Sequence, residues 1–85
     1  MIGKKKKLVL YTTLGCSLCE KAKLEIWPAI ENHGLALQEV DIAEDPELFT
    51  AFGTRIPVVG LGDKRDVLGW PFTAQELGDW IGVRL

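Results

Sequence analysis

Read by the spacing of its apolar and polar residues, the chain divides into short extended runs and helical stretches. Leu8-Val9-Leu10-Tyr11-Thr12 reads as a strand, apolar enough to be covered on both faces. From Ser17 to Asn32 the period changes to three and four. Leu18, Ala22, Ile26, Ala29 and Ile30 share one helical face, with Lys21, Glu25 and Glu31 on the other side. Pro28 lies inside this pattern without the N–H that would close a helical turn, so a kink or a loosened last turn is expected. His33-Gly34 ends the helix, because glycine is free to take the left-handed terminating conformation.

Leu35 to Ile42 is a second extended run. Asp45-Pro46 then has the form of a helix start, an acidic N-cap with proline at the first helical position, and Glu47 to Phe52 is a short helix closed by Gly53. Ile56-Pro57-Val58-Val59-Gly60-Leu61 reads as a third strand. The polar Gly62 to Arg65 turns it into Asp66 to Trp70, and the two form a hairpin. Thr73-Ala74-Gln75-Glu76 is a capping box, and Leu77, Trp80 and Ile81 form the apolar stripe of the helix it opens.

The order strand, helix, strand, helix, strand, strand, helix predicts an α/β architecture. Two strands joined by a helix pair in parallel through a right-handed crossover. The hairpin then completes a mixed four-stranded sheet with helices on both faces.

Composition narrows the class. Eighty-five residues, 47% of them apolar, make one domain, here residues 8–85 behind a basic lead-in at 1–7. The run Lys4 to Lys7 is expected to be a solvated lead-in. The apolar stretch after it breaks at Tyr11, too early for a signal peptide or a membrane span, and a net charge of -2 gives no global attraction to nucleic acid. The expected setting is cytoplasmic, with no membrane and no nucleic-acid partner.

Both cysteines of the chain, Cys16 and Cys19, sit between the first strand and the first helix. A disulfide closing so short a loop removes little chain entropy, and two cysteines do not make a secreted disulfide framework. A zinc or iron–sulfur site needs about four ligands, and two thiols with the distant His33 fall short unless a second chain contributes. Redox chemistry fits the position better. Thiol–disulfide exchange needs a thiolate and a second thiol within reach. The unpaired N–H groups of a first helical turn favour negative charge at Cys16. Cys16 is therefore expected to attack, and Cys19, three residues further into the helix, to resolve the mixed disulfide.

Leu10-Tyr11-Thr12 before Cys16-Ser17-Leu18-Cys19, followed by Arg55-Ile56-Pro57-Val58-Val59 and the strand Asp66 to Trp70, resembles a small glutaredoxin-like protein of the thioredoxin-fold superfamily. The resemblance spans nearly all of the chain after the lysines. It implies a thioredoxin-like sheet with strands in the order second, first, third, fourth, flanked by three helices. It also implies that Pro57 is cis and faces the cysteines, with the Ile56 backbone beside Cys16. A cis peptide there presents the preceding N–H and C=O to the extended backbone of a substrate.

The chain departs from the family pattern at several places. Thr13 stands where glutaredoxins commonly have lysine, Ser17 and Leu18 where proline and an aromatic are usual, and Trp70 follows Gly69 where a second glycine is typical. Gly15 and Leu10 replace the tryptophan and buried aspartate of thioredoxins. Arg55 has two readings, one reaching the Cys16 thiolate or a substrate carboxylate, the other a solvated loop arginine. Trp70 and Phe72 are either an apolar rim beside Cys16 or core aromatics packed on Trp80. Lys21 and Lys23 are read as the exposed helix face.

The expected function is thiol–disulfide oxidoreduction in cell redox homeostasis, with Cys16 and Cys19 as catalytic residues and Arg55, Ile56, Pro57 and Trp70 lining the substrate site. The expected substrate is a disulfide-containing protein or a small thiol, and no metal or tightly bound cofactor is implied. Glutathione or a thioredoxin-reductase-type system is the external reductant, and the protein is expected to be a monomer. The alternative is a binding module on the same scaffold without turnover, or a dimer bridged by a metal or iron–sulfur cluster through the two cysteines.

Overall fold

The computed structural model describes residues 6–85. Its elements in chain order are β1 (Lys7–Thr12), α1 (Ser17–His33), β2 (Ala36–Asp41), a 3-10 turn (Ile42–Glu44), α2 (Pro46–Phe52), β3 (Val58–Gly60), β4 (Val67–Gly69) and α3 (Ala74–Arg84). Residues 1–5 of the lysine-bearing lead-in lie outside the described residues, and Lys7 belongs to β1, where it stands opposite Ala36.

The four strands form a mixed sheet in the order β2-β1-β3-β4. β1 and β2 are parallel, joined through α1, while β3 is antiparallel to both β1 and β4. Side chains of the central strands alternate between two cores, as the period of two requires. Leu8, Leu10 and Val59 face a core shared with Ala22, Ile26, Ala29, Leu77 and Ile81, which is the side of α1 and α3. Tyr11 and Val58 face the other side, against Ile42, Leu48 and Phe52 of the 3-10 turn and α2. β1 is thus covered on both faces.

Helix ends follow the local chemistry. Asp45 accepts from the Glu47 and Leu48 N–H groups, and Thr73 and Glu76 form the reciprocal capping box. Gly34 takes a left-handed φ of 65°, and Leu35 N–H donates to Ile30 C=O at 2.9 Å, closing α1.

As the spacing predicts, α1 continues through Pro28 to His33 and closes at Gly34, with Ala29 and Ile30, directly after the proline, buried in the core that α3 shares. Two expectations are corrected. The buried face of α1 is rotated: Cys19 is inside, whereas Leu18 is 43% exposed. β3 and β4 are only three residues each. Pro57 has no N–H to give to a ladder, so β3 starts after it. Trp70 N–H still donates to Pro57 C=O at 3.0 Å, tying the two segments together beyond the strand ends.

One tie between α1 and α3 has no counterpart in the hydrophobic pattern. Ala74 N–H, at the first position of α3, donates to the Glu25 carboxylate at 2.8 Å. Glu25, on the polar side of α1 by sequence spacing, is half-buried and fixes the start of the last helix.

Candidate active site

Three residues of turn carry the chain from the end of β1 to the cysteines. Gly15 has φ of 80°, a region that side-chain-bearing residues rarely occupy, and Cys16 N–H donates to Thr13 C=O at 3.4 Å. Cys16 is the N-cap of α1, with extended φ and ψ of −81° and 99° and no side-chain capping hydrogen bond. The first-turn N–H groups are thus left without a side-chain acceptor, and with the helix dipole they favour negative charge on the Cys16 sulfur.

Cys16 and Cys19 form a disulfide with Cα atoms 5.4 Å apart. Their surroundings differ. Cys16 is half-buried, whereas Cys19 is 2% exposed. Leu14, 91% exposed, and Leu18 flank the pair with apolar surface that nothing in the fold covers.

A cleft of about 710 Å³ opens beside the pair on the β2 side of the sheet, with Thr12, Thr13, Cys16 and Cys19 in its lining. The parallel register that sets Thr12 opposite Asp41 also brings Glu39 and Asp41 of β2 to this cleft, and Glu44 joins them from the 3-10 turn. Lys23 of α1 also lines the cleft. Its ammonium lies 2.8 Å from a Glu39 carboxylate oxygen and 3.3 Å from Glu20. These partners hold the Lys23 pKa above its ordinary value, the hydrogen bond to Glu39 first. Lys23 is therefore not the free surface lysine that its polar neighbours in sequence imply.

The residues expected to bind substrate sit on the other side of β1. The antiparallel register Tyr11 to Val58 places Pro57 level with Thr12, at the sheet edge where β1 gives way to the cysteine turn. The Ile56–Pro57 and Trp70–Pro71 peptide bonds are both cis. Trp70 is half-buried with its ring edge-to-face on Phe72, centroids 5.1 Å apart, and both rings pack on the α1/α3 core. Phe72 is a core aromatic. Arg55 is exposed, its guanidinium 5.8 Å from the centre of the Phe52 ring. None of Arg55, Ile56, Pro57 and Trp70 lines the acidic cleft. The cysteine turn thus has a cleft on one flank and the Pro57–Trp70 segment at the other.

His33 lies at the far end of α1, over Gly78 and Gly82 of α3. Among the described residues no three His, Cys, Asp or Glu side chains are grouped to hold a metal ion. No described helix is long and apolar enough to cross a membrane.

The sequence model of the Glutaredoxin-like domain (DUF836) matches residues 7–82. The chain belongs to this glutaredoxin-like family. A structural-genomics target protein of X. campestris, XcR50, is 34% identical in its X-ray structure, with a TM-score of 0.75 over 89% of this chain and 96% of that one. Thioredoxin 1 of Thermosipho africanus is 20% identical with a TM-score of 0.65, each chain covered to 92%, which shows a shared thioredoxin-like fold. A malarial protein superposes with a TM-score of 0.67 at 15% identity, over 96% of this chain and 99% of that one. No curated protein sequence matches.

As a glutaredoxin-like protein the chain carries its cysteine pair where the motif and the order of elements put it. The acidic cleft is what sequence reasoning missed. One signal was available: Cys16, Glu20 and Lys23 follow one another at helical spacings of four and three, so they share a face of α1. The partners on β2 are brought in only by the parallel register.

Proposed function

We propose that this glutaredoxin-like protein is a thiol–disulfide oxidoreductase that reduces protein or small-molecule disulfides through Cys16 and Cys19. The carrying observation is the asymmetry of the pair: a half-buried Cys16 at the α1 N-terminus, disulfide-bonded to a buried Cys19. In the reduced protein, the Cys16 thiolate attacks one sulfur of a substrate disulfide. A Cys16–substrate disulfide forms and the other substrate sulfur leaves as a thiolate. Cys19 gives up its proton to solvent and attacks the Cys16 sulfur, forming the Cys16–Cys19 disulfide and releasing the second substrate thiolate. Two electrons pass to the substrate. The external reductant returns them.

Substrate docking is assigned to Leu14 and Leu18 beside the pair, with Ile56, Pro57 and Trp70 offering backbone and ring surface at the β3 edge and Arg55 a charge. In this reading the protein acts as a cytoplasmic monomer in cell redox homeostasis, without a tightly bound cofactor, metal, membrane or nucleic-acid partner. Of the two reductants, a thioredoxin-reductase-type system is favoured over glutathione. Glutathione brings two carboxylates of its own to a cleft where, among the described residues, Glu20, Glu39, Asp41 and Glu44 stand against the single basic side chain of Lys23.

Trapping tests the mechanism. Cys19→Ser accumulates mixed disulfides with substrate, while Cys16→Ser does not; equal trapping by both variants refutes the assigned roles. Colour or zinc in a purified dimer would replace turnover with cysteine-bridged assembly.

A further inference from the structure

The geometry points to Lys23 as a positioning residue that sets the charge state of the Cys16–Cys19 pair. This rests on the oxidoreductase reading of the same site. Lys23 follows Cys19 by four residues and Cys16 by seven, so all three lie toward one side of α1. Helical side chains lean toward the N-terminus. For Lys23 that lean is visible, because its ammonium reaches back to Glu20, one turn nearer the cysteines. Glu39 holds it there from β2, and the Lys23 side chain is only 22% exposed.

The sign of the effect follows from the groups around the cleft. α1 contributes Glu20 and Lys23, β2 contributes Glu39 and Asp41, the 3-10 turn contributes Glu44, and β1 and the turn after it contribute only the uncharged Thr12, Thr13, Leu14 and Gly15. Among the described residues, Lys23 is the one basic side chain lining the cleft. Carboxylates lining the same cleft as a thiol oppose its ionisation, and an ammonium favours it. Lys23 offsets the acids and keeps the pair able to form a thiolate near neutral pH. Cys19 profits most, being about 6 Å away along the helix axis at 1.5 Å per residue. Its burial otherwise works against the charge it must carry to resolve a mixed disulfide.

The two members of one ion pair must therefore act in opposite directions. Lys23→Met raises the apparent thiol pKa of the reduced pair by about half a unit, the shift expected for one charge at that range in near-aqueous surroundings. Glu39→Gln lowers it by a few tenths, and Lys23→Arg keeps the wild-type value. The reduction potential follows, more reducing in Lys23→Met and less reducing in Glu39→Gln, because a stabilised thiolate stabilises the reduced form. Thiolate absorbance titrations of the fully reduced proteins read this directly. Raising the salt concentration shrinks both shifts. A purely architectural tie moves both variants the same way or neither, and either result overturns the inference, as does loss of the wild-type value in Lys23→Arg. The titration needs reduced thiols but no turnover, so its outcome stands apart from that of the disulfide-trapping experiment.

Discussion

Glu25→Ala removes a single carboxylate, and the structure says what it leaves behind. The Ala74 N–H at the start of α3 loses its acceptor at 2.8 Å, in a half-buried position where water reaches it poorly. Leaving a buried donor unpaired costs about 1–3 kcal/mol, and an acidic group at a helix N-terminus contributes a further 0.3–1 kcal/mol or so through the dipole. Thr73 and Glu76 still cap the same helix, so the helix itself survives and the loss stays near the lower end, about 1.5–2 kcal/mol. In a domain of this size each kcal/mol moves the melting temperature by about 4–8 °C, giving a fall of roughly 6–16 °C. Urea unfolding followed by tryptophan fluorescence should show a lower midpoint with an unchanged m-value, because the surface exposed on unfolding is the same. Glu25→Gln keeps an acceptor without the charge and should recover about half of the loss. If Glu25→Ala unfolds within about 0.5 kcal/mol of the wild type, the contact carries no stability and α3 is held by its apolar face alone.

Two further variants probe other layers. Phe52 is 1% exposed and lies 4.7 Å from the Tyr11 ring, so Phe52→Ala should cost about 3–5 kcal/mol in urea unfolding, and a cost below about 2 kcal/mol would mean that the α2 side of the sheet collapses around the cavity. Asp66 accepts from the Arg84 Nε and Nη2 at 2.7 and 2.8 Å, and these hydrogen bonds hold its carboxyl below the ordinary value. Because the folded pKa is the lower one, the stabilisation is present above the ordinary carboxylate pKa and is lost as the pH falls through the folded value. Asp66→Asn should therefore melt below the wild type at neutral pH, with the gap closing in acid; a gap that persists unchanged in acid would place its cause outside the ion pair.

Much of the architecture was legible along the chain because it depends on short-range rules. The cap at Asp45, the capping box at Thr73 and Glu76 and the glycine stop at Gly34 each answer to neighbours within four residues. The periods of two and of three to four located the central strands and the long helix. Where sequence reasoning slipped, a distant packing partner outweighed the local signal. Leu18 yields its place on the buried face of α1 to Cys19, and Glu25 leaves the polar side to fix the start of α3.

By itself the sequence determined the cysteine motif, its position before a helix and the order of elements that makes a mixed four-stranded sheet, since these follow from residue type and spacing. Only the tertiary structure decided what surrounds the cysteines. The parallel register of β1 with β2 brings Glu39 and Asp41 to one flank, and the antiparallel register of β1 with β3 brings Pro57 level with Thr12 at the other. For the same reason Lys23 changes from a surface lysine to an ion-paired charge lining the cleft of the cysteine pair. Its partner Glu39 lies sixteen residues along the chain and meets it only when the crossover closes. Electrostatic surroundings depend on distance through space, and spacing in sequence carries that information only within a single helix or strand.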